Sequence, residues 1–210
     1  MLYITHREKK TRVLGPGLRY ALWLQGCKKR CAGCINPAGQ RIGEGGYWMT
    51  EEALIDELVA AESLTGITIS GGEPFLQAEG LAALVQLVRE RTRLDIMIYT
   101  GYTLAELNAM ESLEIHFILA HIDLLIDGEY REEENHNTIY RGSDNQIIHY
   151  LSPKYEAYKE RIEKTKNRSI EFVYRGGQDL FLVGIPAKNT LEDLWKRIKK
   201  IEQRKGDEHP

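Results

Sequence analysis

Short apolar runs that end in glycine or an acid, each followed by an amphipathic stretch, recur along the chain and restrict its fold more than any other feature. Leu18 to Gln25 alternates Leu, Tyr, Leu and Leu against Arg, Ala, Trp and Gln, which predicts a strand with two distinct faces. Gly66 to Ser70, Asp95 to Tyr99 and Ile122 to Ile126 predict further strands. Between them, Thr50 has the character of a helix N-cap, with Glu51 and Glu52 where the helix dipole favours acids. Leu54, Ile55, Leu58 and Val59 supply that helix's apolar stripe. A second helix carries Leu81, Leu84, Val85 and Val88, and a third begins near Thr103. This alternation predicts an α/β fold, a parallel sheet with helical crossovers. Its polar strand ends are Gly71-Gly72-Glu73-Pro74, Thr100-Gly101-Tyr102 and Asp127-Gly128, and such sheets place their active sites at these ends.

The last quarter has a different pattern. Tyr155 to Lys166 predicts a charged, exposed helix. Ile170 to Tyr174 and Leu180 to Val183 flank Arg175-Gly-Gly-Gln-Asp179 and predict a hairpin. Thr190 is expected to cap a final amphipathic helix carrying Leu191, Leu194, Trp195, Ile198 and Ile201, with a frayed tail from about Gln203.

All three cysteines stand in Cys27-Lys-Lys-Arg-Cys31-Ala-Gly-Cys34. An odd number of cysteines within so short a segment does not make a disulfide framework. Structural zinc sites use CxxC pairs with a second pair of ligands at a distance. Here the fourth ligand would be His6, His116, His121, His136, His149 or His209, none at a telling spacing. Compact runs of three thiolates suit an iron–sulfur cluster, holding three corners of a cube and leaving one iron open for chemistry. The bases Lys28, Lys29 and Arg30 are expected either to favour the thiolate form or simply to meet solvent.

At 210 residues, with 42% hydrophobic and 28% charged residues, the chain fits one soluble domain that needs no disulfide staples. A net charge of −3 gives no reason to expect nucleic acid as the main partner. Met1 to Glu8 lacks the apolar core of a signal peptide and no apolar run approaches membrane length, so a cytoplasmic location without membrane contact is expected.

The run Trp23-Leu-Gln-Gly-Cys27 through Cys34-Ile-Asn36-Pro37 resembles the cluster loop of radical S-adenosylmethionine enzymes, most closely the activating proteins of anaerobic ribonucleotide reductase. Gly71-Gly72-Glu73-Pro74 resembles that superfamily's methionine-binding turn. Thr100-Gly101-Tyr102, Asp127-Gly128 and Arg141-Gly142-Ser143-Asp-Asn145-Gln146 resemble later landmarks in the same order, covering roughly residues 13 to 150. Two departures stand out. Gly33 occupies a place that is aromatic in many radical enzymes, as it does in the reductase activators, so adenine contacts must come from elsewhere. Compact activators also end near the Asn-Gln motif, whereas this chain continues through Val183-Gly-Ile-Pro186.

The resemblance implies a partial (β/α) barrel, with a core over 1–150 and an extension over 151–210 packed on it. It implies a 4Fe-4S cluster on Cys27, Cys31 and Cys34, and S-adenosylmethionine held by Gly71, Gly72, Glu73, Pro74, Thr100, Asp127, Ser143 and Asn145. The glycines are expected at positive φ, letting backbone approach the ligand, and Glu73 to accept hydrogen bonds from the methionine ammonium. Asp127 could equally cap a turn, and Ser143, Asn145 and Gln146 could serve only their own loop. Tyr102 and Trp48 are expected to pack rather than bind adenine. Reductive cleavage would give methionine and a 5′-deoxyadenosyl radical, with an electron from flavodoxin or ferredoxin and a glycyl-radical enzyme as target. No general acid or base is implied. A radical maturase acting on a peptide or small molecule, or a non-catalytic iron–sulfur or zinc module, are the alternatives.

Overall fold

A computed structural model describes residues 1–166, 168–174, 176 and 180–207, with 201–207 as backbone alone. Its strands are β1 (Leu2–Thr11), β2 (Arg19–Leu24), β3 (Tyr47–Met49), β4 (Gly66–Gly71), β5 (Asp95–Tyr99), β6 (Leu124–Asp127) and β7 (Ile147–Tyr150). They form one sheet in the order β3-β1-β2-β4-β5-β6-β7. The four central strands are parallel, and β1, β3 and β7 add antiparallel edges. The helices are α1 (Glu51–Ala60), α2 (Ala78–Arg91), α3 (Leu104–Ala109), α4 (Leu113–His121), α5 (Lys159–Lys164) and α6 (Thr190–Asp207). The fold is thus α/β with a mostly parallel central sheet, as the alternation predicts. A separate hairpin joins β8 (Ile170–Tyr174) to β9 (Leu180–Gly184). Arg175 and residues 177–179 of its expected turn lie outside the described residues.

The main core lies between the sheet and α1, α2 and α4, where Leu54, Leu81, Leu84 and Val85 meet Ile67, Ile69, Ile96 and Ile98. Alternation along β5 sends Met97 and Tyr99 to the opposite face, against Leu124, Ile126 and Tyr155. With both faces covered, β2 is buried along nearly its whole length rather than having one wet face. Several other expectations give way to packing. Val59 lies outside the helix stripe and is exposed. The stretch after Thr103 makes two helices: a capping box of Thr103 and Glu106 starts α3, and Ser112 caps α4 anew. The expected helix over Tyr155 to Lys166 is a 3-10 turn, Pro153–Tyr158, leading into α5. It is not fully exposed, because Tyr155 and Ile162 are buried. Thr190 is the first residue of α6 rather than its cap, and α6 continues past Gln203 to Asp207. Among the described residues, no helix is long and apolar enough to cross a membrane.

Candidate active site

The cysteine loop is an excursion whose two stems are tied together. Gly26 N–H donates to Gly39 O at 2.8 Å and Cys27 N–H to Gln40 O at 3.2 Å. Gln25, buried at the end of β2, fixes the return limb through Nε2, which donates to Ala38 O at 2.9 Å and Arg41 O at 2.7 Å. Within the loop, Cys34 N–H donates to Cys31 O at 3.3 Å, and Gly33 takes a φ of 70° that closes the turn.

The Gly71-Gly72-Glu73-Pro74 turn is laced to the same stem. Gly72 N–H donates to Leu24 O at 2.7 Å and Glu73 N–H to Gly26 O at 2.8 Å. A Cβ on Gly71 would stand 2.2 Å from Leu24 O, and one on Gly72 2.1 Å from Gly26 O. Both glycines are therefore required by the approach of the cysteine loop's own backbone. Only Gly71 has a positive φ, at 122°; Gly72 does not, contrary to expectation.

Glu73 is 1% exposed. Its Oε1 accepts from Phe75 N–H at 3.1 Å and Thr100 Oγ1 at 2.8 Å, and Oε2 accepts from Gly101 N–H at 2.7 Å. Burial pushes its carboxyl above the usual range, opposed by these three donors.

These parts converge on a cavity of about 390 Å³ whose lining includes Cys27, Cys31, Cys34, Gly71, Gly72, Glu73, Thr100 and Gln146. The three thiols are free. Among the described residues, no three His, Cys, Asp or Glu side chains stand as a closed metal-ligand set. The donor set nonetheless fits a thiolate-held cluster: three soft ligands share one cavity, and no described histidine lines it to complete a zinc site. Lys28 and Arg30 are exposed, the solvent-facing alternative, while the charge of Lys29 is engaged by carboxylates. Burial pushes the Cys27 and Cys31 thiols up. Lys29 lines the cavity, with Nζ 3.1 Å from Glu129 Oε1, 3.6 Å from Glu106 Oε1 and 4.3 Å over the Tyr102 ring.

A family model described as "4Fe-4S single cluster domain" matches residues 13–149. The anaerobic ribonucleoside-triphosphate reductase-activating protein of Vibrio cholerae is 37% identical over 147 residues, covering 65% of this chain and 90% of the relative. The protein of the same name from Escherichia coli K12 is 34% identical over 146 residues, covering 66% and 92%. That from Enterobacteria phage T4 is 32% identical over 141 residues, covering 65% and 86%. The chain belongs to the anaerobic ribonucleoside-triphosphate reductase-activating protein family.

Against that family membership, the later landmarks divide. Thr100 faces the cavity through its contact with Glu73. Pro74 is buried and opens a 3-10 turn, Pro74–Gln77, rather than lining the cavity. Asp127 is taken up by the fold: Oδ2 accepts from Leu104 N–H at 2.6 Å and pairs with His149 at 2.8 Å, and Oδ1 accepts from Ile147 N–H at 3.2 Å. Ser143 is fully buried with Oγ accepting from Arg131 N–H, and Asn145 donates to Glu129 O. None of Pro74, Asp127, Ser143 and Asn145 lines the cavity. Gln146 lines it and also braces its loop, donating to Gly128 O and accepting from Gly142 N–H, both at 2.7 Å.

Two contributors were invisible to the motif reading. Tyr130 lines the cavity from the loop after β6. So does Gly184 to Asn189, beyond the residues that the 4Fe-4S single cluster domain model matches. Arg168 holds that segment down, donating to Thr138 O, Pro186 O and Gly142 O at 3.0 Å each and also to Arg141 O. The Val183-Gly-Ile-Pro186 run was the one signal in the sequence, and only the tertiary fold shows what it touches.

Proposed function

We propose that this protein activates an anaerobic ribonucleoside-triphosphate reductase by generating a glycyl radical on it, using S-adenosylmethionine. The observation that carries this is the meeting of Cys27, Cys31 and Cys34 with the Gly71-Gly72-Glu73 turn and Thr100 in one cavity. Cys27, Cys31 and Cys34 would hold a 4Fe-4S cluster, which supplies one electron for reductive cleavage of the sulfonium to methionine and a 5′-deoxyadenosyl radical. Glu73 keeps acceptor capacity beyond its three donors and would orient the methionine ammonium. Thr100 and Gly101 hold that carboxylate still, and Gly71 and Gly72 fix the turn against the cysteine loop. The apolar residues Ile185, Pro186 and Ala187 would keep water from the reacting centre.

The partial-barrel description of the sheet, the division near residue 150 and a reducing cytoplasmic setting belong to the same proposal. So does flavodoxin or ferredoxin as electron donor. The polar ends of β2, β4 and β5 opening on one cavity support the barrel description. The radical-maturase reading retains one supporting observation: a wall of the cavity comes from residues outside the family match. The test is anaerobic incubation of reconstituted protein with reductant, S-adenosylmethionine and an anaerobic reductase. 5′-Deoxyadenosine and a glycyl spin signal are expected. No 5′-deoxyadenosine would sink the chemistry, and nucleoside without the spin signal would favour another target.

A further inference from the structure

We infer that Tyr130 is the stacking platform for the adenine of S-adenosylmethionine, an assignment that rests on the reading above. Tyr130 follows β6 and lines the cavity together with the three cysteines. One edge of the ring lies against Gly33, where a Cβ would stand 3.3 Å from Cε1. The opposite edge lies against Gly142, where a Cβ would stand 2.9 Å from Cδ2. Asn135 Nδ2 donates to the hydroxyl at 3.2 Å. Held at both glycines and at its tip, the half-buried ring is part of the cavity wall.

A tyrosine ring in the cavity wall suits a flat heteroaromatic base. The ring is already immobilised, so stacking costs little further side-chain entropy. Trp23 and Tyr99 also line the cavity, but each packs against other side chains. Trp23 tilts against His6 with ring centroids 5.3 Å apart. Tyr99 packs among Met97, Leu124 and Ile126 on the sheet. Tyr102 carries Lys29 on its face and does not line the cavity. The absence of a side chain at Gly33 and Gly142 thus has a consequence for binding: each leaves room for the Tyr130 ring, shared with Glu132 at Gly33 and with Gln146 at Gly142.

The test measures S-adenosylhomocysteine affinity by anaerobic equilibrium dialysis on the cluster-reconstituted protein and its Tyr130→Ala, Tyr130→Leu and Tyr130→Phe variants. Loss of the stacking face in the Ala and Leu variants should weaken binding about tenfold. Tyr130→Phe should bind like the parent, and iron content should be the same throughout. Tyr130→Leu fills the slot without an aromatic face and decides the matter where Tyr130→Ala folds poorly. Parental affinity in Tyr130→Leu would overturn the assignment, as would affinity lost only in step with iron, since the ring would then merely brace the cysteine loop. Failure of the unsubstituted protein to bind S-adenosylhomocysteine would overturn the nucleotide reading itself, and no variant is needed to see it.

Discussion

Arg19 Nη2 stands 2.6 Å from Asp95 Oδ1 with neither side chain reaching solvent. The pair spans the start of β4, where a Cβ on Gly66 would fall 2.4 Å from the same carboxylate oxygen. Arg19 also donates to Thr68 Oγ1, Pro16 O and Ile67 O, and Tyr155 Oη donates to Asp95 Oδ2 at 2.6 Å. One buried cluster therefore ties three parallel strands to the segment after β7. Asp95→Asn would leave the Arg19 charge buried without its counter-ion, and a loss of about 3 kcal/mol is expected. Urea unfolding measures it: the midpoint should fall with little change in slope. An unchanged midpoint would mean that Arg19 finds compensation elsewhere.

A second carboxylate makes stability depend on pH. Asp123 Oδ1 accepts from Ser152 Oγ at 2.6 Å, and Oδ2 accepts from Arg89 Nη2 at 2.7 Å and Ile96 N–H at 2.8 Å. Burial works to raise its carboxyl, but Ser152, Arg89 and Ile96 outweigh burial and hold it below the ordinary value of 3.8. A depressed folded value means that the stabilisation is complete above the unfolded value and is lost as pH falls through the folded one. The stability gap between the parent and Asp123→Asn should be widest near neutrality and close progressively below pH 3.8. Unfolding curves across that range check it; a gap independent of pH would remove the charge from the explanation.

The cysteine loop and the Gly-Gly-Glu-Pro turn were legible in the sequence because their chemistry needs particular residue types at fixed spacing. The helix faces of α1 and α2 were legible through periodicity, Val59 apart. Strands β1, β3 and β7 were not, since antiparallel edges are recognised by partners far along the chain. His6 to Lys10 reads locally as a polar stretch. Asp127, Ser143 and Asn145 were ambiguous for a related reason: a short polar side chain satisfies a backbone group as readily as a ligand, and these three are engaged with the fold. Tyr130 was hidden because its position depends on the folding of the loop from Gly128 to Gln146.

Gly72→Ala tests how closely the turn and cysteine loop depend on one another. The added methyl group would lie 2.1 Å from Gly26 O and 2.6 Å from Gly39 O, both backbone atoms of the loop's stems. Those stems cannot yield as a flexible side chain would, so destabilisation of about 2 kcal/mol is expected from overpacking. Iron bound per chain after anaerobic reconstitution should fall with it. Full iron loading at parental stability would show that the two segments move independently.

Arg168 governs the extension's hold on the cavity. Its bonds to Thr138 O, Gly142 O and Pro186 O link the loop before β7 to the segment after β9. Arg168→Ala should release that segment while leaving the main core between the sheet and α1, α2 and α4 intact, because Arg168 has no part in it. Hydrogen exchange should therefore quicken around Ile185 to Asn189, with β4 and β5 unchanged. Uniform quickening would mean that the extension and the sheet open as one cooperative unit.

Glu73 separates the structural from the binding role of the turn. Its carboxylate already serves Phe75 N–H, Thr100 Oγ1 and Gly101 N–H, so a purely structural account is available. Charge distinguishes the two roles, because an ammonium gains from a full negative charge more than neutral donors do. Glu73→Gln keeps the shape and one acceptor oxygen, and should weaken S-adenosylhomocysteine binding about tenfold, the loss of roughly one charge-assisted hydrogen bond. Thermal unfolding run alongside the binding measurement reads the structural role separately. If affinity holds while the melting temperature drops, Glu73 is a capping group and the ammonium must be held by other atoms of the cavity.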